Sequence, residues 1–293
     1  MKKLLPILLV LALLLCGCQA PAEHSDIAAT TLPVWEFTSR LCEGTDLTVT
    51  RLVTENVSCL HDYSLNVRQV KAAEEADLVV ISGAGLEDFM HDLLHDKDVL
   101  DASTGIEVIE CSEHPDHHHD HDHDDHHHEV DSHIWLSPEN AAIMAQNICD
   151  GLCSRYSEHA DIFEANLLVL LSEIEALRSY GDAALSELSS REIITFHDGF
   201  GYLAESFDLH ILKAIEEESG AEASAAELKE IILMVEAHQI KAIFTEINGS
   251  VSAADIISAE TGAVCRQLDM AMAGDSWFEA MYHNIDTLKE ALE

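Results

Sequence analysis

Nine of the nineteen histidines fall in one short tract: His114, His117, His118, His119, His121, His123, His126, His127 and His128, interleaved with aspartates. Imidazole and carboxylate at this density can hold zinc, nickel or copper in many loose arrangements. From Glu113 to Glu129 there is almost no apolar side chain, so the tract cannot offset its ordering entropy by burial. It reads as a mobile loop suited to capturing metal or regulating its uptake, or as a solvated spacer. It is a poor primary site, because ordering it costs too much.

A different environment follows at once. Asp131-Ser132-His133-Ile134-Trp135-Leu136-Ser137-Pro138 sets one histidine against apolar neighbours, as in a wall. His61 sits in Val57-Ser58-Cys59-Leu60-His61-Asp62-Tyr63, and His197 opens His197-Asp198-Gly199-Phe200-Gly201-Tyr202. Taken singly, each is weak evidence, since a histidine at a strand end is more often a hydrogen-bonded structural residue. Asp269, after Val264 to Leu268, is the acid placed most like them, and Glu246 is its rival. Neutral imidazole suits zinc, whereas manganese prefers more oxygen.

Those residues need elements to hold them. Leu47 to Val53, Asp77 to Ser82 and Ile106 to Glu110 read as strands; Pro33 to Cys42, Asn66 to Glu75, Leu86 to His95 and Pro138 to Cys153 read as helices. Alternating strands and helices of these lengths indicate parallel βα units. Ser157 to Leu188 carries apolar residues at helical spacing and is expected to link two lobes, with Gly181 a point at which it could bend. The pattern then restarts. Strands are expected at Glu192 to Phe196, His210 to Ala214, Ile240 to Thr245 and Val264 to Leu268. Helices are expected at Ser224 to His238, with a capping box, Val251 to Gly262 and Asp275 to Leu292. The expected fold is α/β: an N-terminal lobe over 27–156, a linking helix over 157–188 and a C-terminal lobe over 189–293. Ligands of open α/β sheets bind beyond the carboxyl ends of the strands, and strand counting puts His197 and Asp269 there.

The N-terminus adds an address. Two lysines, a leucine-rich run from Leu4 to Leu15 and then Cys16-Gly17-Cys18 form a secretory signal too short to span a bilayer. Leu15-Cys16-Gly17-Cys18 resembles the bacterial lipobox, with residues 1–17 removed, Cys18 lipidated and 18–26 a polar tether. Fifteen Lys and Arg against 55 Asp and Glu give a net charge of -40, which disfavours nucleic acid and anionic surfaces and favours cations. Of the eight cysteines, no two form a CxxC pair, and Cys149 and Cys153 are four apart on one helix, poor geometry for a disulfide.

These segments together carry a resemblance that covers essentially the whole chain: the lipobox, LHDYSLNVRQV, ADLVVISGAGLEDFM, the His/Asp tract, DSHIWLSP, FHDGFGY and LDMAM…EAMYHNIDTL. The chain resembles the zinc-type (ZnuA/AdcA-like) solute-binding lipoproteins of metal ABC transporters. The resemblance implies two α/β lobes joined by one rigid helix, with metal in the cleft between them. It implies His61, His133 and His197 as ligands with Asp269 as the fourth. It also implies an extracytoplasmic, membrane-tethered monomer, not an enzyme, that delivers Zn2+ to a permease with a separate ATPase. The chain departs from the family at Cys59-Leu60-His61, where Pro-x-x-His or Ala-His-x-Tyr is common, so Cys59 could itself approach the metal. Manganese members usually carry an acid where His197 stands. The alternatives are a manganese or iron carrier or adhesin of the same fold, or a zinc hydrolase, which would need an open fourth position; no HExxH is present.

Overall fold

The structure is a computed structural model whose described residues are 25–55, 57, 60, 63–110, 130–216, 224–247 and 249–293. His61, Cys18, Cys59, Cys111 and the histidine tract lie outside the described residues.

Eight strands form two four-stranded sheets, and every pairing is parallel. The first holds β1 (Ile27–Ala29), β2 (Val49–Arg51), β3 (Leu78–Ile81) and β4 (Val99–Asp101) in the order β2-β1-β3-β4. The second holds β5 (Glu192–His197), β6 (His210–Glu216), β7 (Ala242–Glu246) and β8 (Val264–Leu268) in the order β6-β5-β7-β8. The order is the same in both, so each sheet reverses direction of growth beside its first strand. Parallel neighbours require crossovers, which α1 (Leu32–Leu41), α2 (Val67–Glu75) and the single-turn α3 (His91–Leu94) supply in the first lobe. Between the lobes run α4 (Pro138–Arg155) and α5 (Ala160–Ala184); α6 (Gly201–Ser206), α7 (Ala225–His238) and α8 (Ser252–Thr261) serve the second lobe, and α9 (Trp277–Leu292) closes the fold.

Local chemistry sets the helix starts. Asn66 accepts from the amides of Arg68 and Gln69, while Gln69 reaches back to the amide of Asn66, a reciprocal cap that starts α2. Ser224 and Glu227 do the same for α7, as the sequence indicated. Ser137 accepts from Asn140 N and Pro138 opens α4.

Strand alternation sorts side chains between two environments. Ala242 and Phe244 of β7 join the large core that continues through both lobes, whereas Ile243 joins a smaller cluster with Ile194, Phe196, Ile231 and Ile257. The large core includes Phe37, Trp135, Phe163, Phe200 and Trp277, all 0–1% exposed, so the lobes share one apolar interior. At about 1.5 Å per residue α5 is roughly 37 Å long, and it packs on α4, α1 and α9. Buried polar bonds add specificity to this joint. Trp135 Nε1 donates to Met270 O (2.7 Å), and Trp277 Nε1 donates to Trp135 O (3.0 Å). Glu36 of α1 accepts from Trp277 N (2.5 Å) and Ser276 Oγ (3.1 Å), capping α9 from the other lobe. Burial raises the Glu36 carboxyl above its ordinary range, and those two donors oppose the shift.

Three expectations are corrected. Ile106 to Glu110 is not a strand; Glu110 makes only an isolated antiparallel bridge to Val130, and the fourth strand is Val99–Asp101. Its three residues, Asp101 among them and Asp98 just before, are too few and too charged to show as an apolar run. Leu86 to His95 is a 3-10 turn at Asp88–Met90 followed by one α-turn. The segment 157–188 is a 3-10 turn, Ser157–His159, and then α5 ending at Ala184. Gly181 lies within α5, where a side chain would collide with the ring of Phe207. Cys149 and Cys153 are both free thiols with Sγ atoms 3.9 Å apart, and burial pushes the Cys149 thiol up to about 12.

Candidate metal centre

β5 and β7 are neighbours at the point where the second sheet reverses, and each ends in a group that can serve a metal. Ile194 and Phe196 face the smaller cluster, so alternation turns Thr195 and His197 inward, towards the first lobe. The same alternation in β7 turns Glu246 inward, in line with Ala242 and Phe244. His133 comes from the first lobe, at the start of the 3-10 turn Ile134–Leu136 that leads into α4. Thus residues 64 positions apart meet across the lobes.

The two rings meet edge to face, with centroids 5.0 Å apart at 89°. Their Nε2 atoms are 3.4 Å apart, and both residues are 2% exposed. The opposite ring nitrogens face carboxylates. His133 Nδ1 lies 2.8 Å from Asp131 Oδ1, which also accepts the His133 amide at 2.9 Å. His197 Nδ1 lies 3.3 Å from Glu246 Oε1. A carboxylate at Nδ1 favours the proton there, which would leave Nε2 to bind a metal. The two Nε2 atoms are placed to share one cation. Two ligands of tetrahedral zinc at about 2.0–2.1 Å from the ion are themselves about 3.3–3.4 Å apart, which matches the observed separation.

Space is kept for this convergence. Gly199 has no room for a side chain: a Cβ there would lie 2.7 Å from His197 Cδ2 and 2.8 Å from both His133 Nδ1 and His197 Nε2. Tyr202 of α6 ties down both ends of the histidine tract. Its hydroxyl donates to Asp131 O (2.8 Å) and accepts from Ile109 N (2.9 Å), while Asp131 N donates to Ile109 O (2.9 Å).

Asp269 follows β8 and is held by Asn284, whose side chain bonds both its amide (2.7 Å) and its carbonyl (2.7 Å). One carboxylate oxygen, Oδ1, accepts from Ala271 N at 2.8 Å. Burial raises the pKa of this carboxyl, and the bond from Ala271 and the charge of His283 lower it. Asp269 and Glu246 line a cavity of about 10 Å³ with Val57, Ile247, Met270, Met272 and Ala273, near the room one water-sized body needs. Among the described residues, no third His, Cys, Asp or Glu joins His133 and His197 as a metal shell. Sequence reasoning did not single out Asp131 or Gly199; the spacing Asp-x-His and the glycine two residues after His197 were the available signals. It weighed Glu246 as a ligand; Glu246 Oε1 lies 3.3 Å from His197 Nδ1.

A family model described as zinc-uptake complex component A, periplasmic, matches residues 27–291. The zinc-binding lipoprotein AdcA of Streptococcus pneumoniae is 29% identical over 310 residues, covering 100% of this chain; the chain spans 62% of the length of that relative. The crystal structure of ZnuA superposes with a TM-score of 0.80 at 27% identity, covering 92% of this chain and 100% of that one. The Zn(II)-bound ZnuA-like domain of S. pneumoniae AdcA gives a TM-score of 0.76 at 26% identity, covering 92% of this chain and 99% of that one. Two parallel-sheet lobes, a long helix between them and a family match over nearly the whole chain lead to one conclusion: this chain belongs to the ZnuA family.

Proposed function

We propose that this protein captures Zn2+ outside the cytoplasm and delivers it to a separate ABC permease and ATPase. The observation that carries the reading is the 3.4 Å approach of His133 Nε2 to His197 Nε2, each ring backed by a carboxylate. His61 and Asp269 complete the shell in this reading, and Asp131 and Glu246 orient the two described imidazoles. Its role is binding rather than catalysis, because a carboxylate in the fourth position leaves no open site for a substrate. Lipidated Cys18 tethers the chain to the membrane, and residues 113–129 capture metal beside the cleft. Membership of the ZnuA family and the zinc-binding relatives support the choice of metal.

Bound zinc would be measured in protein purified without added metal, then challenged with manganese. One tightly held zinc per chain, retained against excess manganese, is the expected result. A chain that holds no metal, or that exchanges zinc freely for manganese, would refute the reading.

A further inference from the structure

Two histidines outside the cleft share one helical face. They lie in His91-Asp92-Leu93-Leu94-His95-Asp96, four residues apart. His95 N donates to His91 O at 3.2 Å, the bond of an α-turn, so the two Cβ atoms are neighbours about 5–6 Å apart. The turn is anchored on its other side. Met90 is buried, and Leu93 and Leu94 pack with it against Ala28, Leu52, Ala73 and Ala76. Lys97 Nζ fixes the end of the segment by donating to Glu74 O (3.0 Å) and Ala76 O (2.6 Å), at the C-terminal end of α2. Both imidazoles therefore project from a fixed turn into solvent, with side chains 77% and 73% exposed.

Each ring also has its own carboxylate. His95 Nδ1 lies 3.1 Å from Asp96 Oδ1, and His91 Nδ1 lies 3.6 Å from Asp92 Oδ1. The bond at His95 favours a proton on Nδ1, which leaves Nε2 for a metal; at His91 the carboxylate is a near charge only. This repeats, on the surface, the pairing of His133 with Asp131 and His197 with Glu246.

We infer that His91 and His95 form a second metal site, which takes one divalent cation of the imidazole-preferring class: zinc, nickel or copper. Neighbouring imidazoles one turn apart chelate through their Nε2 atoms, and water fills the remaining positions. With two protein ligands and full exposure, the site exchanges its ion readily and binds more weakly than a buried four-ligand cleft. It does not depend on the cleft ligands being those proposed above.

Carbethoxylation of histidine in the full chain, read by mass spectrometry with and without zinc, tests this pair. Zinc should protect His91 and His95 together. In His91→Ala the His95 ring should react as fast with zinc as without it, and in His95→Ala the same should hold for His91. Rings that stay reactive in zinc-saturated protein overturn the site. So does protection that survives in either single variant, since it would show that the two histidines do not share an ion. Modification of His133 and His197 in the same digests reports on the cleft separately.

Discussion

His133 Nε2 and His197 Nε2 stand 3.4 Å apart, although one leads into a helix of the first lobe and the other ends a strand of the second. Neither lobe holds the pair by itself. An ion shared by the two nitrogens would be held by both lobes at once.

Replacing His197 with Ala should weaken zinc binding by several kcal/mol, on the order of a hundredfold or more. Replacing His210, exposed at the start of β6, should leave it unchanged. Titration against a competing chelator separates the two; equal losses would make His197 merely structural. His197→Glu should shift preference towards manganese, because it exchanges nitrogen for oxygen at the shared point.

Asp131→Asn should keep the fold and lower zinc affinity by about 10- to 100-fold, the usual effect of removing a ligand's carboxylate partner. The amide can still accept from the His133 main chain, so the thermal midpoint without metal should move little. A variant that binds zinc as tightly as the parent would show that the 2.8 Å contact at Nδ1 has no part in orienting the ring.

Gly199→Ala tests the convergence directly. The added methyl would lie 2.7–2.8 Å from both imidazoles, so one ring must move aside. Zinc affinity should fall although no ligand is lost, and the circular dichroism spectrum should stay native. Unchanged affinity would mean that the rings have slack.

A buried acid in the first lobe sets a pH dependence. Glu87 accepts from Thr30 Oγ1 (2.6 Å), Ser82 N (2.8 Å) and Gly83 N (3.0 Å), where β1 and β3 end. Burial nevertheless pushes its carboxyl up from 4.5 to about 7, with the three donors opposing. The folded chain therefore holds this proton more tightly than the unfolded chain. That contribution is complete below about pH 4.5 and lost as pH rises through about 7, a change of about 3 kcal/mol. Urea unfolding of metal-free protein should weaken over that window. Glu36 and Asp269 are shifted in the same direction, so the informative quantity is the difference from Glu87→Gln, in which the slope should flatten. An undiminished slope in that variant would assign the dependence to other groups.

Much of the frame was legible because it follows from periodicity. β8 was read at its observed bounds, and the Ser224 cap followed from Ser-x-x-Glu. The strand Val99–Asp101 was not legible, since three residues beside acidic neighbours carry too little apolar signal. The site divides in the same way. His133 and His197 stand out by type and setting, but no periodicity tells that Glu246 reaches Nδ1 rather than the shared point. That depends on which strands are neighbours, and so on tertiary pairing.

The bonds from Trp135 to Met270, from Trp277 to Trp135 and from Trp277 to Glu36 cross between lobes in a buried setting. Swinging the halves apart like a clamshell would break all three and wet the tryptophans, so such gaping is thermally rare. In the proposed role, an ion would then have to leave the cleft without the two halves parting.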